Sequence, residues 1–185
     1  MRTEYSEYLA GRGAALRLLR RLMLRPLLKH ISGRLLDIGC GIGDVLRLYR
    51  DSVGIDADPG CVSVCQEQGL PCVQASADAL PFEDDSFDSV ILNNVLEHIG
   101  QPEAVFSEIR RVLRRGGVLV IELPGRKGYA FDPTHVRHWD RSAVLACLAE
   151  HGFAPVRTWF YPVPLEAAGD FLTHNKLRVV AVHAK

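Results

Sequence analysis

Long apolar runs are missing from this sequence. No stretch approaches the roughly 18 consecutive apolar residues of a membrane-spanning helix, and the chain opens on charged residues rather than on the apolar core of a secretory leader. Net charge is missing as well: 22 Lys and Arg stand against 22 Asp and Glu, so no overall field favours nucleic acid or a membrane as partner. There are five cysteines, an odd number, without a Cys-x-x-Cys pair. Free thiols in a reducing cytoplasm are therefore expected rather than a disulfide framework. Cys61, Cys65 and Cys72 lie close in sequence with no histidine between them, and no metal site is expected from that spacing. Repeats and low-complexity tracts are absent too. A chain of 185 residues, 48% hydrophobic and 24% charged, reads as one domain.

Within the neutral total the charge is uneven. Residues 1–34 carry eight Arg and Lys against two Glu. Between residues 12 and 30, Leu16, Leu19, Met23 and Leu27 repeat on one helical stripe, with Arg17, Arg20 and Arg21 elsewhere on the wheel. The expected structure for residues 1–32 is an N-terminal amphipathic helix packed on the domain, with contact to an anionic or membrane surface as the weaker reading.

From Gly33 onward short apolar segments alternate with helical ones. Strands are expected at 34–38, 52–56, 71–75, 87–93 and 117–123, and helices at 43–50, 59–68 and 102–115. That alternation predicts a parallel sheet with helices on both faces, and residues 33–123 as a cofactor-binding core. The remainder, 124–185, reads as a polar and aromatic loop over 124–140, a helix over 141–151 and two last strands, contributing to an acceptor site.

The first strand runs into "LLDIGCGIGDVL", where Gly39, Gly41 and Gly43 are spaced G-x-G-x-G. In an open parallel sheet this turn lies where ligands bind, and glycines let a ligand approach the main chain. A dinucleotide fingerprint would be G-x-G-x-x-G; here Asp44 holds the third glycine's place and would repel a pyrophosphate, and there is no phosphate-binding lysine. The ligand expected is nucleoside-like and free of phosphate. Asp56, ending the second strand, suits the two hydroxyls of a ribose, and Asp78, after the third, suits an exocyclic amine such as that of adenine.

"LLDIGCGIG", "VGIDADP", "ADALPFEDDSFDSVILNNVLEHI" and "LRRGGVLVIELP", in this order over residues 34–124, resemble the successive motifs of class I S-adenosylmethionine-dependent methyltransferases of the small-molecule type. The resemblance implies a Rossmann-like α/β fold: a seven-stranded, mostly parallel sheet, its last strand antiparallel and inserted between the fifth and sixth. It implies S-adenosyl-L-methionine as cofactor, with Asp37, Gly39, Cys40, Gly41 and Gly43 around the methionyl part. Asp56 and Ala57 would sit at the ribose, Ala77, Asp78 and Ala79 at the adenine, and Asn93 beside the methyl group.

The acceptor is less legible. "NNVL" after the fourth strand lacks both the Asn-Pro-Pro-Tyr-like stretch of amino-methylating DNA enzymes and the Pro-Cys of cytosine enzymes, so a small molecule methylated on oxygen or nitrogen is expected. A hydroxyl acceptor needs its proton removed, a task for histidine. His135 and His138 lie in the loop "DPTHVRHW" and are the candidates, whereas His98 reads as a packing or cofactor-adjacent residue. Phe160, Tyr161 and Phe171 are candidates for an apolar pocket wall or for core. Two other readings stay open: a noncatalytic cofactor-binding partner subunit, and an NAD(P)-dependent oxidoreductase.

Overall fold

The computed structural model describes residues 3–11 and 13–184, without the side chain of Ala14. In chain order the elements are α1 (Glu4–Ala10), α2 (Ala14–Leu28), β1 (Leu35–Ile38), β2 (Ser52–Asp56), α3 (Pro59–Glu67), β3 (Cys72–Gln74), β4 (Phe87–Asn93), α4 (Pro102–Val112), β5 (Leu113–Pro124), α5 (Arg126–Phe131), α6 (Arg141–Glu150), β6 (Phe153–Tyr161) and β7 (Lys176–His183). Short 3-10 turns at Leu96–His98 and Glu166–Asp170 complete them. No helix among the described residues is long and apolar enough to cross a membrane.

The seven strands form one sheet in the order β3-β2-β1-β4-β5-β7-β6. β1 to β5 pair in parallel, and β7 runs antiparallel between β5 and β6. This is the topology that the resemblance implies. The order reverses at β1, so the carboxyl ends of β1, β2 and β4 meet at one edge.

Successive side chains of a strand point to opposite faces, and here the two faces are distinct. Leu36, Ile38, Val90, Leu92, Leu119, Ile121 and Val179 join Phe106 and Ile109 of α4 and Val144 and Leu148 of α6 in the larger apolar cluster. Their alternates Leu35, Ile91, Val120 and Val180 pack with Leu24 and Leu27 of α2. The same parity puts Asp37, Asn93, Glu122 and Arg178 on the α2 face, farther along their strands. β6 closes one side of the sheet, and an edge position is where Pro155 is tolerated inside a strand.

Five expectations from sequence need correction. The N-terminal helix expected over residues 1–32 is two helices, α1 and α2, the second matching the stripe read at 12–30, with Arg12 outside the described residues. The stripe of α2 is buried only toward its end, at Leu24 and Leu27, while Leu16 and Leu19 are 42% and 49% exposed. Residues 43–50 form a succession of turns rather than a regular helix, because Gly43 adopts φ +81°. β5 starts at Leu113, not 117: Leu113 already pairs with Phe87 of β4 before the register shifts. The loop at 124–140 contains α5.

One buried ion network ties the antiparallel end of the sheet to α2. Glu122 is 2% exposed and Arg178 fully buried. Arg178 Nε donates to Glu122 Oε2 at 2.6 Å, Lys176 Nζ donates to Oε1 at 2.7 Å, and Arg178 Nη2 reaches the carbonyl of Met23 at 2.7 Å. The guanidinium also lies 4.0 Å from the centre of the Tyr161 ring. Although its burial alone would raise it, Glu122 is held below the usual carboxylate range by these two cations. Removing one partner of such a pair strands the other charge in the core. Glu122→Gln is expected to lower unfolding free energy by about 3 kcal/mol in denaturant titration, and the double variant Glu122→Gln/Arg178→Met to recover most of that loss.

Candidate functional site

β1 delivers Asp37 to the ligand-binding edge of the sheet, and the chain then turns on Gly39. That glycine has φ +68°, and a Cβ there would lie 2.5 Å from Cγ2 of Val95. The turn thus needs a residue with no side chain both for its dihedral and for the close pass of the segment after β4. Gly43, at φ +81°, serves a different neighbour: a Cβ would lie 2.5 Å from Cδ1 of Leu70 and 3.1 Å from Sγ of Cys65. It seats the turn against the α3 region and lines neither of the two cavities that meet at this edge.

The first cavity, of about 270 Å³, is lined by Asp37, Gly39, Cys40, Gly41 and Asn93, with Glu97, His98, His135 and Lys176 across from them. The second, of about 480 Å³ and mostly apolar, is lined by Ile38, Ile55, Asp56, Ala57, Ala75 and Ala77. Gly39, Asn94, His98 and Tyr5 border both. The structure therefore brings together most of the cofactor residues expected from sequence, in two adjoining chambers. Asp78 and Ala79 line neither; Asp78 is exposed and accepts a hydrogen bond from the Ser76 hydroxyl.

Asp56 splices the site. Its Oδ2 accepts from the Gly41 N–H at 2.8 Å and its Oδ1 from the Asp58 N–H at 2.9 Å, which leaves each oxygen a further lone pair for a ligand hydroxyl. Burial raises its carboxyl, and those two N–H groups offset part of the rise. Asp58 caps α3 and accepts from the Thr3 hydroxyl at 2.8 and 2.9 Å. Thr3 is itself the N-cap of α1, so α1 is pinned over the edge, with Tyr5, Tyr8 and Leu9 facing the first cavity. Asp44, expected to repel phosphate, is paired with Arg20 at 2.8 Å and Arg47 at 3.7 Å.

Asp37 is the least compensated group here. It is 1% exposed and neither carboxylate oxygen has a hydrogen-bond partner. Burial, then the neighbouring Asp56, pushes its carboxyl well above the ordinary range. Glu97, on the turn after β4, shares this condition: it is 1% exposed, both its oxygens lack partners, and burial pushes it up to about 8. Sequence reasoning missed Glu97, because in "LEHI" it looks like an ordinary acid of an exposed turn. Its apolar neighbours Leu96 and Ile99 were the available signal.

The two candidate histidines separate. His135 faces the first cavity with its side chain 7% exposed; its Nδ1 lies 2.8 Å from the Tyr129 carbonyl and its Nε2 3.9 Å from Glu97 Oε1. His138 borders another cavity, with Arg126, Asp140, Phe160 and Glu166. Tyr161 packs on Arg178 and Phe171 is 73% exposed, so neither shares a pocket wall with Phe160. Beneath the glycine turn Cys40, Cys65 and Cys72 are buried together, with Sγ of Cys40 and Cys72 3.3 Å apart.

Comparison with known proteins places this geometry. Residues 36–121 match a family model described as a methyltransferase domain. An uncharacterized protein of Methanocaldococcus jannaschii is 32% identical over 107 residues, 57% of this chain and 52% of its own length, so the chain spans about half of that relative. The uncharacterized methyltransferase YcgJ of Bacillus subtilis is 26% identical over 171 residues, 79% of this chain and 68% of its own. Among solved structures, a SAM-dependent methyltransferase from Archaeoglobus fulgidus aligns with a TM-score of 0.76 at 21% identity, over 96% of this chain and 97% of that one. The shared fold includes the seven-stranded sheet with its antiparallel last strand.

Asp37 gives a pH dependence with a definite sign. Its folded-state pKa is raised, so the folded protein keeps a proton that the unfolded chain has already lost above the ordinary carboxylate value of about 3.9. Stability from this group is full below that value and falls as pH rises through the folded pKa. Asp37→Asn is expected to flatten the decline and to raise the melting temperature near neutral pH, measured across a pH series without ligand.

Proposed function

Because the chain belongs, through residues 36–121, to the class I S-adenosylmethionine-dependent methyltransferases, we propose that it binds S-adenosyl-L-methionine across the two chambers and methylates a small-molecule acceptor on oxygen or nitrogen. The observation that carries this reading is Asp37: a buried carboxylate with both oxygens unpartnered, at a glycine turn that faces a cavity. Such a group is costly unless a cation or donor completes it, and the methionyl end of the cofactor, bearing an ammonium and a sulfonium, is of that kind. Bound there, the cofactor supplies a methyl carbon open to in-line displacement.

Each of the chain's residues then has a task. Gly39 and Gly41 leave the main chain bare against the methionyl part, with Cys40 beside them, and Gly43 holds the turn in place. Asp56 accepts from the ribose hydroxyls while its own hydrogen bonds fix its rotamer. The apolar chamber, with Ala57 and Ala77, takes the adenine, while Asp78 and Ala79, expected there from sequence, lie outside its lining. Asn93 borders the methyl group. α1, clipped down through Thr3 and Asp58, keeps water from the reacting atoms, and catalysis rests mainly on positioning. Of the two loop histidines, His135 is the one that orients the acceptor or takes its proton, since it faces the first cavity. The absence of net charge favours a small acceptor over a nucleic acid.

Calorimetric titration tests the cofactor assignment. S-adenosylmethionine and S-adenosylhomocysteine are expected to bind with dissociation constants on the order of micromolar, at least tenfold weaker in Asp56→Ala, while NADH gives no heat. Failure of both adenosyl ligands to bind the unaltered protein would sink the reading.

A further inference from the structure

Glu97, His98 and His135 converge from two separated segments, the turn after β4 and the loop after α5. One ligand-type atom from each lies within 4.8 Å of the other two. Glu97 brings a carboxylate that is 1% exposed and has no partner for either oxygen. We propose that these three side chains bind a divalent first-row transition cation in the acceptor half of the cavity. This rests on the methyltransferase reading for its role in turnover, but not for the site itself.

The histidines are already oriented as ligands. An imidazole that binds a metal gives its other ring nitrogen to a carbonyl or carboxylate, which fixes tautomer and ring direction. His135 does this with Nδ1, 2.8 Å from the carbonyl of Tyr129, an acceptor only, so Nδ1 carries the proton and Nε2 offers its lone pair. That Nε2 lies 3.9 Å from Glu97 Oε1 and 4.0 Å from Asp132 Oδ2. Stacking on Tyr129, with ring centres 5.3 Å apart, further fixes the ring. His98 is held through Nδ1 by Thr134, 3.3 Å from its carbonyl and 3.2 Å from its hydroxyl.

The separations suit a cation. Ligand atoms at about 2.1 Å from an octahedral metal are about 3.0 Å apart when adjacent and about 4.2 Å when opposite. Small side-chain rotations would therefore close the set. The competing cation is already engaged: Lys176, in the same cavity, gives its ammonium to Glu122 at 2.7 Å. One carboxylate with two imidazoles selects Mn, Fe, Co or Zn over the hard alkaline-earth ions, and leaves positions open. Those positions face the methyl-transfer edge, and they suit an acceptor with a hydroxyl or a pair of oxygens. On coordination the hydroxyl gives its proton to solvent water. Its lone pair then forms the O–C bond to the methyl carbon as the C–S bond breaks, that pair going to sulfur.

The test is metal binding itself, read by the loss of free Mn(II) signal in electron paramagnetic resonance. Mn(II) is the probe because the thiols of Cys40, Cys65 and Cys72 select softer ions. The full chain, stripped with chelator, is expected to bind one Mn(II). Glu97→Gln and His135→Asn should each weaken it at least tenfold. Glu97→Gln keeps the shape and removes the ionisable oxygen that would ligate the metal, and circular dichroism checks that each variant folds. No stoichiometric Mn(II) in the folded protein, or undiminished binding in both variants, overturns the site. Mn(II) bound as expected without adenosyl-ligand binding would uphold the site and defeat the methyltransferase reading instead.

Discussion

Buried carboxylates at the ligand-binding edge of the sheet are the constraint around which this structure is arranged. A carboxylate removed from water must be paired, hydrogen-bonded or protonated. Glu122 is answered by Lys176 and Arg178, and Asp56 by two backbone N–H groups. Asp37 and Glu97 have no such answer from the described residues. The first two hold elements together; in the latter two burial favours the protonated form.

The division follows from topology. Asp37, Asn93, Glu122 and Arg178 share one face because strand parity puts them there. Asn93 is in register with Glu122, and Glu122 with Arg178. Satisfying Glu122 consumes the cations of β7, and through Met23 it also fixes the end of α2. Arg20 and Lys176 border the same cavity as Asp37, but they are engaged by Asp44 and Glu122, and among the described residues neither Asp37 oxygen has a hydrogen-bond partner. The chamber beyond that cavity is mostly apolar, with Tyr5 of α1 on its wall.

Where pattern reading went astray, the reasons are local and physical. The α2 stripe counted Leu16 and Leu19 as buried, yet a helix longer than the surface it packs on covers only part of its apolar face, and it is Leu24, Leu27 and, partly buried, Leu28 at its end that pack on the sheet. The segment at 43–50 has helical spacing, but Gly43 enters it in the left-handed region and i→i−4 bonds from Arg47 and Tyr49 are mixed with an i→i−3 bond from Leu48, so no regular helix forms. β5 begins early because a partner strand, not propensity, decides where a strand starts. His135 and His138, three residues apart in one loop, could not be told apart in sequence; α5 and its carbonyl at Tyr129 turn one inward.

The sequence by itself determined the order of the strands and the place of the glycine turn, because periodicity and spacing are local properties of the chain. It also located Asp56 at the end of the second strand, since a strand's end is legible from its apolar run. Tertiary structure alone decided which acids are left without partners, which histidine meets Glu97, and that α1 closes the edge through Thr3 and Asp58. Those are contacts between residues 38 to 55 positions apart, and burial at such distances depends on what the rest of the fold lays on top.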